Sequence, residues 1–82
     1  MEIRTLEING EPLWLVIDQF RVYVEANNSF VTTEKFICYF KLSEPNTLFF
    51  GELVKDENEL PRLFNTPNDA EVFVMNLLQN QD

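Results

Sequence analysis

The chain has no histidine, one cysteine and two glycines among its 82 residues, and each shortage closes off a kind of chemistry. Serine and cysteine hydrolases set a nucleophile beside a base that titrates near neutral pH, and without His that base is missing. The single Cys38 has no partner for an intrachain disulfide, and it lies in an apolar run where burial raises a thiol pKa and silences it. With Gly10 and Gly51 alone, no glycine-rich loop can cradle a phosphate, so nucleotide binding is not expected. Long apolar runs are lacking too. Residues 13–17 and 36–40 form the longest, five residues each, against the roughly 20 needed to cross a bilayer as a helix. The opening Met-Glu-Ile-Arg-Thr-Leu-Glu places charges where a signal peptide needs an apolar stretch, so the expected location is cytoplasmic, with no membrane partner and no cofactor.

What is present is a dense set of aromatics (eight Phe, two Tyr and Trp14), a hydrophobic fraction of 45% and a formal charge of −8. That composition folds, because disordered segments are poor in aromatic and β-branched residues. Residues 1–82 are expected to form one domain, and a chain this small buries only about 60–65% of its unfolded surface, so nearly every large apolar residue is needed inside. The acids are unevenly placed: residues 44–82 hold eight acids against two bases, net −6, and residues 1–43 hold six against four, net −2. Direct binding to nucleic acid is disfavoured, since displacing counterions from phosphates takes Lys and Arg. A basic protein partner fits the charge better.

Alternation and turn chemistry predict an α+β fold, an antiparallel sheet of about five strands in two or more hairpins with one C-terminal amphipathic helix packed on one face. Glu2–Ile8 leads into Asn9-Gly10, the dipeptide suited to a type I′ turn. Residues 13–17 read as a central strand apolar on both faces, turned near Asp18-Gln19 into a third strand where Phe20, Val22, Val24 and Ala26 alternate with Arg21, Tyr23 and Glu25. Asn27-Asn28-Ser29 reads as a turn; it also matches a glycosylation acceptor, which is not expected to be used without a secretion signal. Thr32 or Thr33 could cap a helix, but the aromatic and β-branched run after Lys35 favours a strand over residues 35–42. Glu44-Pro45-Asn46-Thr47 then turns the chain into a strand over residues 48–54, and residues 60–64 could add a short edge strand. At the end, Thr66 caps a helix with Pro67 in its first position, Asp69 in its first turn and a stripe of Ala70, Phe73, Val74, Leu77 and Leu78.

Alternation assigns Leu13, Leu15, Ile17, Phe20, Val22, Val24, Cys38, Phe40, Leu42, Leu48 and Phe50 to the face under the helix. Trp14, Val16, Tyr23, Ile37, Tyr39, Phe49 and Leu53 then crowd the other face, too much apolar area to leave bare. Three covers are open: a sheet curled toward a partial barrel, residues 60–64 folded across, or a protein interface.

Asp56-Glu57-Asn58-Glu59 begins like a calcium loop, but Leu60 and Pro61 fall where the EF-hand pattern needs a ligand and a Gly, so no metal is expected there. Residues 2–14, Glu-Ile-Arg-Thr-Leu-Glu-Ile-Asn-Gly-Glu-Pro-Leu-Trp, resemble the opening hairpin of phage antirepressors of the BRO N-terminal type. The resemblance implies a hairpin and no function, since that family continues into a helix where Gln19 to Ala26 here alternate as a strand.

The expected function is a small acidic, non-enzymatic protein-binding module, one version being a regulator that mimics DNA in the basic cleft of a nucleic-acid-binding protein. The residues expected to carry it are the aromatics Trp14, Tyr23 and Tyr39, as anchors, and the acids Glu44, Glu52, Asp56, Glu57 and Glu59, as steering charges. The alternative is a structural subunit of a homodimer or larger assembly. An enzyme working through carboxylates alone is the third reading, and no acid pair stands out by spacing.

Overall fold

The computed structural model describes residues 1–80. It is an α+β fold, a four-stranded open antiparallel sheet in the order β1-β2-β3-β4 followed by one helix. β1 (Glu2–Ile8) turns through Asn9 and Gly10, whose φ values of 51° and 81° are those the predicted turn requires, into β2 (Glu11–Val24). β3 (Ser29–Lys41) returns after a single 3-10 turn (Glu25–Asn27) closed by Asn28 at φ 50°, and β4 (Glu52–Leu53) pairs with Tyr39 and Phe40. α1 (Pro67–Gln79) starts as predicted, with Thr66 Oγ1 accepting from the Asp69 N–H at 3.1 Å.

The strand count is four where about five were expected, and the sheet does not close into a barrel. The main reason is Asp18-Gln19. Neither residue supplies the positive φ that a two-residue hairpin turn needs, so the chain runs straight through and the two expected strands are one of 14 residues. Residues 48–54 yield only the two-residue β4, and residues 60–64 make isolated bridges in place of a strand.

The core lies between the sheet and α1: Ile8, Leu13, Leu15, Ile17, Cys38, Val54, Phe64, Ala70 and Val74 are buried, with Leu6, Phe36, Phe40, Phe73, Met75 and Leu78 packed around them. Fully burying one such side chain is worth about 1.5–3 kcal/mol. Because β2 is continuous, Phe20, Val22 and Val24 fall out of phase with Leu13, Leu15 and Ile17 and take no part in that core. Leu42, Leu48 and Leu77 are exposed, the last at the margin of the helix stripe, and Phe50 packs elsewhere. Arg4 on β1 ties down the start of α1 by donating to Asn68 Oδ1 at 2.8 Å and to Glu71 Oε1 at 3.3 Å. Its hydrogen bond to Glu2 holds the guanidinium pKa above its ordinary value.

The apolar second face has its own cover. Ile3, Val16 and Tyr39 sit side by side across β1, β2 and β3, and Val16 is 0% exposed. The segment over them is residues 42–51, not 60–64. The Phe50 ring meets Tyr39 edge to face at 5.8 Å, and Pro45, Asn46, Thr47 and Phe50 line an open pocket of about 240 Å³ with Met1 and Ile3. Residues 60–64 instead run along the edge of β3, where Phe64 exchanges two 2.9 Å backbone hydrogen bonds with Phe36 and turns its ring into the core against Phe73.

Candidate interaction surface

β1 pairs with β2 only as far as Ile17, and the outer edge of β3 is covered only back to Phe36. The chain nevertheless continues as paired strands from Arg21 to Val24 and from Ser29 to Thr32. This stretch is a two-stranded ribbon, and it accounts for the molecule's shape: the extents are 48 × 27 × 20 Å, the longest matching the roughly 46 Å of a 14-residue strand. The radius of gyration of 13.7 Å exceeds the ~12 Å of a compact chain of this length.

Where the ribbon leaves the body, the register of β2 against β3 shifts between Gln19 and Arg21. Three residues of β3, Thr33 to Lys35, stand opposite the single Phe20, and Thr33 Oγ1 locks the bulge by donating to the Phe20 carbonyl at 2.7 Å and accepting from the Lys35 N–H at 3.1 Å. Bulges of this kind bend and twist a strand pair. Lys35 Nζ also donates to Asn65 Oδ1, anchoring the bend to the chain ahead of the helix. At the far end Tyr23 and Phe30 pair across the strands, rings edge to face at 5.4 Å, and the Tyr23 hydroxyl bonds to Asn28 Oδ1.

The ribbon carries Val22, Tyr23, Phe30 and Val31, exposed by 39, 51, 69 and 41% respectively. An isolated two-stranded hairpin is only marginally stable in water, and the cross-strand pairs Tyr23–Phe30 and Val22–Val31 support this one while leaving much of their apolar area exposed. Of the four, sequence reasoning singled out Tyr23 alone. Val22 carries the alternation of a core strand, and Phe30 and Val31 lie in a stretch whose helix and strand signals conflict.

The eight expected site residues fall into two groups. Trp14, Tyr39, Glu44 and Glu52 lie toward the body end but do not form one surface: Trp14 is paired with Lys41 and Glu52 with Phe40, which sets Glu52 on the face opposite Trp14 and Tyr39, and both aromatics are half-buried, Tyr39 beneath Phe50. Glu44 and Glu52 are exposed there, and the Lys41 ammonium lies 5.0 Å over the Phe49 ring. Tyr23 lies nine residues further along β2, about 30 Å away at strand rise.

Asp56, Glu57 and Glu59 belong with the ribbon, because their loop sits at its base. Phe20 lines a groove of about 420 Å³ with Asp56, Leu60, Pro61, Arg62 and Leu63. Asp56 organises this loop, its carboxylate accepting from the N–H groups of Asn58 and Leu60 at 2.8 and 3.1 Å. Glu59, at φ 65°, pairs with Lys55 at 3.5 Å, whereas Glu57 is exposed. The Arg62 guanidinium stacks 4.7 Å from the Phe73 ring, closing the inner wall. On the core side Cys38 is buried, which pushes its thiol pKa from 9.0 up to about 12.

Among the described residues no group of three His, Cys, Asp or Glu is placed to hold a metal ion, every Asp and Glu is at least partly exposed, and no helix is long and apolar enough to cross a membrane. The fold and surface thus define a small α+β domain with a projecting apolar ribbon. No family model, curated protein or solved structure matches the chain.

Proposed function

We propose that the chain is a small acidic, non-enzymatic protein-binding module that anchors its partner on the β2–β3 ribbon and attracts a basic one through the acidic loop at the ribbon's base. The observation that carries this reading is the exposure of Val22, Tyr23, Phe30 and Val31 on a strand pair that has no third strand beside it among the described residues. Tyr at the centre of an interface buries a large area and keeps a polar tip for hydrogen bonding, and a strand ribbon gains order when a partner covers it. The net charge of −6 over residues 44–82 supplies long-range attraction to a basic surface, which raises association rate more than final affinity.

The test separates anchor from steering. Tagged wild type, a Tyr23→Ser/Phe30→Ser variant and a Glu57→Lys variant are used to capture partners from the source cell's lysate, with thermal melts run in parallel. Loss of capture in the ribbon variant at a melting temperature close to wild type supports the anchor. A weakened, less salt-sensitive capture in Glu57→Lys supports the steering. Glu57 is the cleaner choice because Asp56 holds the loop together. Capture of the same protein by all three at equal strength would refute the proposal.

A further inference from the structure

The outer edge of β2 is bare where the ribbon leaves the body. β1 covers β2 through Ile17, and the Gln19 N–H is already taken by the Asp18 carboxylate at 2.9 Å. From Phe20 to Val24 the edge has no strand beside it among the described residues, and open edges of this kind are templates for another strand.

The side chains along this edge are complementary to themselves. A two-fold axis perpendicular to the sheet sets two copies of β2 antiparallel and pairs residues that share a face, so the two residue numbers of each pair sum to an even value. Centring the axis on Tyr23 sets Val22 opposite the second copy's Val24 and Tyr23 opposite its Tyr23, and brings Arg21 beside its Glu25, the first residue of the turn that follows β2. Moving the axis one residue either way sets Arg21 opposite Tyr23 or Asn27, and Glu25 opposite Gln19 or Tyr23, leaving both charges without a counterpart. Among the described residues, Arg21 and Glu25 form no ion pair or side-chain hydrogen bond within the chain, and both are exposed. Because Phe30 stands directly beside Tyr23 on β3, the same register lines up four rings in a row, Phe30 and Tyr23 of one copy next to Tyr23 and Phe30 of the other. The opposite surface gains a matching patch of Val22, Val24 and Val31.

We infer that the occupant of the ribbon's free edge is a second copy of this chain, paired β2 to β2 about Tyr23 and held in register by two symmetric Arg21–Glu25 ion pairs. The interface is isologous and closes at two copies, since each β2 edge is used once. This inference rests on the reading of the ribbon as a binding surface and assigns its free β2 edge to a second copy, a contact distinct from the basic partner proposed above. The contact is small and each chain carries −8, so the dimer is weak, with a dissociation constant on the order of tens of micromolar at physiological salt.

The test is a charge swap read by sedimentation equilibrium from about 10 μM to 1 mM, a range chosen to bracket that constant. Wild type is expected to pass from monomer to dimer across it. Arg21→Glu and Glu25→Arg, each alone, set like charges opposite one another twice, which weakens self-association by about tenfold or more. In their equimolar mixture the mixed dimer sets both acids of the Arg21→Glu chain against both arginines of the Glu25→Arg chain, so two opposite-charge pairs are restored. That mixture is expected to dimerise about as well as wild type. Circular dichroism checks that each variant is folded.

A wild type that stays monomeric, single variants that dimerise like wild type, or a mixture no better than either variant alone would overturn the inference. If the wild type is monomeric but the Tyr23→Ser/Phe30→Ser variant still loses a captured partner, self-pairing falls and the wider proposal stands. If neither association nor capture depends on the ribbon, both fall.

Discussion

Replacing Gly51 by Ala tests the cover over the second face, because the backbone there leaves no room for a side chain. Gly51 sits at φ +124°, a conformation that costs a residue with a Cβ about 1–3 kcal/mol. A Cβ added at this position would lie 2.3 Å from the Phe40 carbonyl oxygen and 2.7 Å from its carbon. Both are backbone atoms of a strand paired on each side, so no flexible side chain can give way; the overlap is relieved only by pulling residues 42–51 off Tyr39 and Val16 or by breaking the Phe40–Glu52 pairing. Forced overpacking of this kind costs a further ~1–3 kcal/mol. A combined loss of about 2–6 kcal/mol is a large part of the roughly 4–12 kcal/mol that a chain of this length has in total. At about 4–8 °C per kcal/mol, the melting temperature should fall by at least about 8 °C.

The control for Gly51 is Gly10→Ala, where φ is +81° but nothing lies within 4 Å of the new Cβ; it should cost about 1 kcal/mol. The assay is thermal melting by far-ultraviolet circular dichroism, with urea titration to confirm that the m-value is unchanged. If Gly51→Ala melts no lower than Gly10→Ala, residues 42–51 do not close on β3 as described.

Leu15→Ala, at a site with no exposure, should cost about 2–5 kcal/mol in urea denaturation, whereas Leu48→Ala, at 95% exposure, should stay within about 0.5 kcal/mol of wild type. Thr66→Ala removes the acceptor for the Asp69 N–H and should cost about 1 kcal/mol, seen as a fall of about 4–8 °C on melting. Cys38 should resist iodoacetamide in the native protein at neutral pH and react on unfolding. Its folded pKa of about 12 lies above the ordinary 9.0, so the neutral thiol favours folding: that contribution is complete below pH 9 and is lost as the pH climbs toward 12. A Cys38→Ala chain should show less loss of stability across that window, and an equal loss would show that the thiol plays no part.

The hairpin at Asn9-Gly10 and the helix from Thr66 were legible because their signals are local: positive φ at two adjacent positions, a hydroxyl cap, a proline and a stripe of helical spacing. The long strand was not. Asp18-Gln19 is the first polar pair after a run of five apolar residues and looks like a turn, yet nothing in it forces one; the break in pattern marks where the core ends along β2. Residues 48–50 failed for a different reason. Leu, Phe and Phe read together as a strand, but Phe50 turns down from the covering segment onto Tyr39 while Leu48 points to solvent, a division set by tertiary packing. For the surface, aromatic content pointed to Tyr23. The ribbon itself depends on where β1 stops and where β3 bulges, and neither boundary has a signature in side-chain pattern.

The bond from Arg4 to Asn68 and Glu71 joins positions 64 and 67 residues apart, while the sheet below it is a meander of neighbours in sequence order. The two parts of the fold therefore form by different routes. The hairpins can zip up through short-range contacts alone, the kind that nucleate quickly, but the side of the sheet carrying Leu13, Leu15 and Ile17 stays bare until residues 67–79 have been made and have docked. At about 5–20 residues per second the helix takes around a second to synthesise, so each new molecule passes through an interval as a sticky half-sandwich. Crowded expression should lose this protein to aggregates during that interval more readily than the stability of the finished fold would suggest.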